Sequence, residues 1–173
     1  MRRVVFLDSG PLGQITNPAL ARNTKRWLDF AKKQEVELRV AEITDYELRR
    51  NFILEGLRQS ICNLNKYKQT KRFVPLTSEA IARACEMWAW AHGSGQPTSA
   101  QENIDADVIL VAQALCYQGD FGRKFDQKII LTENLKHIRT FSGFGISVWD
   151  WKIALNDSIY DTITLDEGSS LAP

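Results

Sequence analysis

The chain has 173 residues, 44% apolar and 25% charged, with a formal net charge of +1. That composition suits one soluble globular domain with a full core, and the charge balance excludes a globally basic nucleic-acid binder. No apolar stretch approaches the roughly 20 residues of a membrane span, and Met1-Arg2-Arg3-Val4 leads directly into a strand pattern, leaving no room for a signal peptide. The expected location is cytoplasmic. Cys62, Cys85 and Cys116 match neither a zinc spacing nor a disulfide framework, and two histidines, His92 and His137, supply a histidine-based site poorly.

Val4-Val5-Phe6-Leu7 runs into Asp8, followed by Ser9-Gly10-Pro11. An apolar run bounded by turn residues reads as a strand buried on both faces, as in parallel sheets covered by helices. In such sheets ligands sit beyond the carboxyl ends of the strands, where Asp8 stands. Asn17-Pro18 then predicts a helix start, with Leu20, Thr24, Trp27, Leu28 and Ala31 at helical spacing. Residues 38–43 read as a second strand. Thr44-Asp45-Tyr46-Glu47 matches a capping box and predicts a long helix bearing Leu57, Ile61, Leu64 and Lys68 on one stripe. Between Arg49 and Arg72 there are seven basic residues against one acid, Glu55, which is either a local basic surface or a solvated helix face.

Residues 73–76 predict a short third strand, placed at a sheet edge by Pro75. Ser78 is read as the cap of a helix carrying Ile81, Ala84, Cys85, Trp88 and Ala91, and Trp88 and Trp90 as packing rather than base-stacking residues. Residues 92–98, with Gly93, Gly95 and Pro97, read as a loop. Ser99-Ala100-Gln101-Glu102 is a second capping-box match, opening a helix with Ile104, Val108, Val111, Ala112 and Leu115 on its apolar face. Residues 128–132 and 146–149 complete five expected strands, with a short helical turn over 135–141 between them. Residues 1–150 read as one domain and 151–173 as a mobile or partner-dependent tail. Strands alternating with helices imply an α/β fold with a mostly parallel sheet.

Three carboxylates stand out by position. Asp8 ends the first strand, Glu47 opens the helix after the second, and Asp107 lies beside the apolar face of the helix before the fourth. Asp105 sits about 200° from Asp107 around that helix, so the two cannot share one spot. Each acid has a structural alternative: Asp8 as a turn cap, Glu47 as half of a capping box, Asp107 as one half of an ion pair. An ionised carboxylate against a core face needs a partner, and no lysine or arginine pattern supplies one for Asp107. A divalent cation answers all three cases, and an oxygen-only donor set suits Mg²⁺ or Mn²⁺. Such a cation activates water for attack on a phosphodiester, with Arg49 and Arg50 placed to hold phosphates.

The segments Val4–Ser9, Ile43–Arg50, Asp107–Ala114 and Ile129–Ile138 resemble, in order and at similar separations, the four motifs of PIN-domain nucleases, in the style of the VapC-type toxins of bacterial toxin–antitoxin pairs. The resemblance spans about residues 4–149. It implies a three-layer α/β/α sandwich with a five-stranded sheet, metal-dependent endoribonuclease activity, a homodimer and a cognate antitoxin. Carried over by position, Asp8, Glu47 and Asp107 match the metal-binding acids, Ser9 the small hydroxyl residue beside the first acid, and Thr132 the hydroxyl residue of the fourth motif. Asn134 falls where many members carry a fourth acid, which leaves a second metal open, and Asp105, Glu133 and Asp150 are auxiliary acids that no spacing argument selects. Single-stranded or looped RNA is the expected substrate. Two other readings are a catalytically weak RNA-binding or interaction module, favoured by Asn134, and phosphoryl transfer through an aspartyl phosphate. The latter wants a second acid where Gly10 stands and a lysine after the fourth strand, where Thr132-Glu133-Asn134 stands.

Overall fold

A computed structural model describes residues 2–94, 101–122 and 124–156. Five parallel strands form the sheet, in the order β3-β2-β1-β4-β5: β1 (Arg3–Leu7), β2 (Glu37–Ala41), β3 (Phe73–Val74), β4 (Gln127–Thr132) and β5 (Ser147–Asp150). The chain begins in the middle of the sheet, builds outward through β2 and β3, then crosses back to add β4 and β5 on the other side of β1. The strand order therefore reverses between β1 and β4, and the crevice beyond their carboxyl ends is where such a sheet takes its ligands.

Alternation along the strands divides the core. Val4, Phe6 and Ile130 face α5 (Ser78–Gly93) and α6 (Gln101–Cys116). Val5, Leu7, Ile129 and Leu131 face the opposite layer, formed by α1 (Ser9–Thr16), α2 (Arg22–Lys33), α3 (Glu42–Leu54), α4 (Arg58–Lys68) and α8 (Trp151–Ala154). The expected α/β/α sandwich is what the chain forms. The short α7 (Leu135–Arg139) closes the end of β4, with Ile138 buried.

Several local expectations are corrected. Ser9-Gly10-Pro11 is not a turn but the first turn of α1, capped by Asp8, and Asn17-Pro18 lies between helices, with α2 starting at Arg22 behind Ala21. Pro11 is tolerated because the first-turn amides of a helix have no intrahelical acceptor. The Thr44–Glu47 capping box does not form. β2 runs straight into α3, whose N-cap is Ala41, and the Thr44 hydroxyl is buried a turn inside without a hydrogen-bond partner. The long helix is broken at Gly56, whose φ of 70° is left-handed backbone that favours glycine. Thr77, not Ser78, caps α5, which buries Ala80 and Met87 in place of Ile81. The Ser99–Glu102 match lies outside the described backbone and side chains. Of the segment read as a tail, residues 151–156 are packed on the body, with Trp151 fully buried edge-on to Trp27 at 5.0 Å. Residues 157–173 lie outside the described residues.

Candidate active site

The site forms where β1 and β4 end. Asp8 leaves β1 as the N-cap of α1, its backbone N–H still donating to Leu131 O at 3.0 Å. Its Oδ1 accepts from Ser9 N at 2.7 Å, and its Oδ2 accepts from the Thr132 hydroxyl at 2.6 Å. Thr132 is wholly buried and accepts in turn from Asn134 N at 2.8 Å. One hydroxyl thus orients the carboxylate and shapes the chain that follows β4, across the point where the strand order reverses. The capping role weighed for Asp8 is real, and it coexists with placement at the crevice.

Glu47 and Asp107 approach from the flanks. With no capping box, Glu47 lies in the second turn of α3, and the structural alternative for it falls away. It is half-buried, and burial and then Asp8 raise its pKa, with Arg50 pulling the other way. Asp107, in α6, is only 8% exposed. Burial, then Asp8, then Glu47 push its pKa up to about 7. Each of these two acids is raised by Asp8, and Glu47 raises Asp107, so the three share one electrostatic neighbourhood in which like charges oppose one another.

Gln113 sets the distance between those flanks. Its buried side chain donates to Val74 O at 3.1 Å and accepts from Ile43 N at 3.2 Å, tying α6 to β3 and to the start of α3. Sequence reasoning gave it no role, and the available signal was an amide inside an otherwise apolar helix. His137 was also passed over. Its Nδ1 is 3.0 Å from Asn134 Nδ2 and 3.4 Å from Asp107 Oδ2, and Asn134 Nδ2 lies 3.4 Å from the same carboxylate oxygen. If Nδ1 accepts from the amide, the ring proton sits on Nε2. The three-residue separation of Asn134 and His137, which places both on one face of a helical turn, was the signal.

The remaining candidates separate. Arg49 is not directed at the site. It donates from Nε and Nη2 to both Asp45 oxygens at 2.9 and 2.7 Å, and from Nη1 to Asn65 Oδ1 at 2.8 Å, joining α3 to α4. Arg50 is exposed, lies over the Tyr46 ring at 5.5 Å and acts electrostatically on Glu47. Glu133 turns toward α1, where Oε1 accepts from Gln14 at 2.8 Å and Oε2 would stand 3.1 Å from a Cβ on Gly10, so a side chain there would press on the acid. Asp150 caps α8, accepting from Lys152 N at 2.7 Å. Asp105 is exposed and lines an apolar groove between α5 and α6, with Trp88 and Ile109.

Asp8, Glu47 and Asp107 meet the chemical demand of a hard divalent cation: oxygen donors only, negative charge in excess, and burial and like-charge repulsion that raise the pKa of Glu47 and Asp107. Among the described residues no three acid, histidine or cysteine side chains are already drawn into cation-ligand geometry. The acids are neighbours in the electrostatic field.

No family model and no curated protein matches the chain. Solved structures do. VapBC2 from Rickettsia felis, bound to a promoter DNA fragment, has a chain that aligns with a TM-score of 0.64 at 11% identity, over 86% of this chain and 98% of that one. DNA-bound VapBC from Salmonella typhimurium gives 0.59 at 16%, over 87% and 99%. FitAcB from Neisseria gonorrhoeae gives 0.58 at 16%, over 84% and 96%. At such identities the likeness is one of fold. The sheet order, the two helical layers and the near-complete coverage show that this chain has the PIN-like α/β fold of the VapBC and FitAB structures.

Proposed function

We propose that the chain is a divalent-cation-dependent endoribonuclease acting in the cytoplasm as the toxin of a toxin–antitoxin pair. The observation that carries the reading is the shared electrostatic neighbourhood of Asp8, Glu47 and Asp107 beside the β1–β4 crevice, where burial, then Asp8 and then Glu47 push Asp107 up to about 7. These three acids hold Mg²⁺ or Mn²⁺. When bound, such an ion lowers the pKa of water and offsets charge on a phosphodiester. Thr132 keeps the Asp8 carboxylate in one rotamer, and Asn134 and His137 hold Asp107 from the α7 side. Ser9, whose N–H donates to Asp8, is the hydroxyl residue nearest that acid in the chain, and Arg50 offers a phosphate contact at the Glu47 flank, a role Arg49 is too committed to fill. Asn134 presents an amide hydrogen toward Asp107, so the three acids support one cation rather than two.

The similar structures are VapBC and FitAB complexes, several bound to DNA. A protein antitoxin for this chain is proposed on that basis, and a homodimer on the family resemblance. Ile53, Leu54 and Leu57 are exposed around the Gly56 turn, an apolar surface suited to a protein partner. The test is hydrolysis of single-stranded RNA with Mg²⁺ or Mn²⁺, alongside calorimetry of Mn²⁺ binding, for the parent chain, Asp8→Ala and Asp107→Ala. Loss of both signals in folded variants is expected. Full cleavage in both variants refutes the assignment, and absence of Mn²⁺ binding in the parent chain favours the catalytically weak interaction module.

A further inference from the structure

One surface near the site combines the features that hold unpaired bases. Trp90 is 42% exposed near the end of α5, and its ring meets Phe144 edge-on at 5.0 Å and lies 6.5 Å from Phe141. Phe141 is buried and follows α7, its N–H donating to Ile138 O at 3.0 Å. Phe144 is itself held by the Arg83 guanidinium, 5.4 Å from its ring centroid, and Arg83 is fixed by Glu86 at 2.9 Å. The indole is therefore supported from beneath rather than free to swing. Trp88, two residues earlier, behaves differently: it is half-buried and stacked on His92 at 3.7 Å, as a packing residue is.

The charge that α7 brings beside this aromatic face is of one sign. α7 carries Lys136, His137 and Arg139 and no acid. Lys136 and Arg139 are three residues apart and exposed, while Ile138 is buried, and neither makes an ion pair among the described residues. The N-cap of the same helix is Asn134, the residue beside Asp107. One short helix thus starts beside Asp107 and carries two cations that make no ion pair among the described residues, and Phe141, just beyond it, lies 6.5 Å from the Trp90 ring. This differs from the Ile53–Leu57 surface, which is apolar and suits a protein.

We propose that Lys136, Arg139 and Trp90 form a binding track for single-stranded RNA on the α7 side of the site, with phosphates on the two cations and a base stacked on the indole. The proposal rests on the ribonuclease reading and extends it to the residues that select unpaired RNA. A base in a duplex has no free face to offer Trp90, whereas stacking on a protein aromatic tolerates any unpaired base.

The test is fluorescence anisotropy of a labelled twelve-nucleotide uridylate RNA with the full chain in EDTA, so that binding is read without cleavage. Trp90→Ala is expected to weaken binding by about 5- to 150-fold, and Trp90→Phe to retain most of it. Lys136→Ala with Arg139→Ala is expected to reduce the slope of log affinity against log salt by about 1.4, for two single-strand phosphate contacts. Parental affinity in Trp90→Ala together with an unchanged slope overturns the track. So does a Trp90→Ala chain that loses a dimer in sedimentation while keeping its RNA affinity, since the patch is then a subunit contact. If Trp90→Ala fails to fold, Arg139→Glu and the double variant decide by the same slope. Track-dependent binding without cleavage in Mg²⁺ refutes the nuclease reading and leaves the track standing.

Discussion

Asp107→Asn separates charge from shape at the centre of the site. Folding raises the Asp107 pKa from 3.8 to about 7, chiefly through burial and then through Asp8 and Glu47. The folded value is the higher one, so the folded chain holds a proton that the unfolded chain has released. The contribution of this group to stability is complete below pH 3.8, declines as pH rises, and is lost above about 7. A difference of about three units corresponds to about 4 kcal/mol, at 1.36 kcal/mol per unit. For a chain of this size that is a ceiling of about 8–16 °C in Tm. Asparagine keeps the shape of the side chain and carries no charge at any pH. In EDTA near pH 8 the variant is therefore expected to melt above the parent, and near pH 4 the two are expected to converge. Mg²⁺ or Mn²⁺ is expected to raise the parent's Tm near pH 8 and to leave the variant's almost unchanged. Thermal denaturation across that pH range, with and without the cation, provides the measurement. A variant no more stable than the parent near pH 8 in EDTA would show that Asp107 is not held against its own charge, and would remove the main support for a cation site.

Four further substitutions test the geometry. Thr132→Val removes the hydrogen bond to Asp8 and the acceptor of Asn134 N, and is expected to lower stability by about 2 kcal/mol and RNA cleavage at least about tenfold, read by denaturant unfolding and by turnover. Arg49→Ala leaves the buried Asp45 unpaired and is expected to cost about 3 kcal/mol with RNA affinity unchanged, whereas Arg50→Ala is expected to weaken RNA binding with little effect on Tm. Trp151→Ala empties a fully buried position against Trp27 and is expected to cost about 3–5 kcal/mol in equilibrium unfolding; an unchanged midpoint would mean that the chain beyond β5 is not part of the core.

The parts of the fold legible in the sequence were those set by local pattern. An apolar strand with an acid at its end, four more strand patterns separated by helical ones, and the four PIN-like segments were enough to give the α/β fold and to single out Asp8, Glu47 and Asp107 as candidates for one rim. The errors arose where a local rule met a tertiary demand. Ser9-Gly10-Pro11 carries turn chemistry, yet Asp8 caps a helix that begins there, because a first-turn proline gives up no intrahelical bond. Thr44 fits a cap, yet β2 and α3 join without a loop, so the hydroxyl is buried a turn inside. Arg49 and Arg50 are adjacent and chemically alike, and only the neighbouring α4 decides that Asn65 helps to hold one while the other remains available.

What the sequence by itself determined was the α/β class, with Asp8, Glu47 and Asp107 as candidate acids, since strand alternation and strand-end position are properties of consecutive residues. What only the tertiary structure decided was which side chains complete the site. Gln113 ties α6 to β3 and α3, Thr132 reaches Asp8 across 124 positions, and His137 approaches Asp107 beside Asn134. Those relations depend on where the sheet reverses and how far α6 stands from α3. Hydrogen bonds hold at about 3 Å or not at all, so partners brought together by packing leave no periodic trace along the chain.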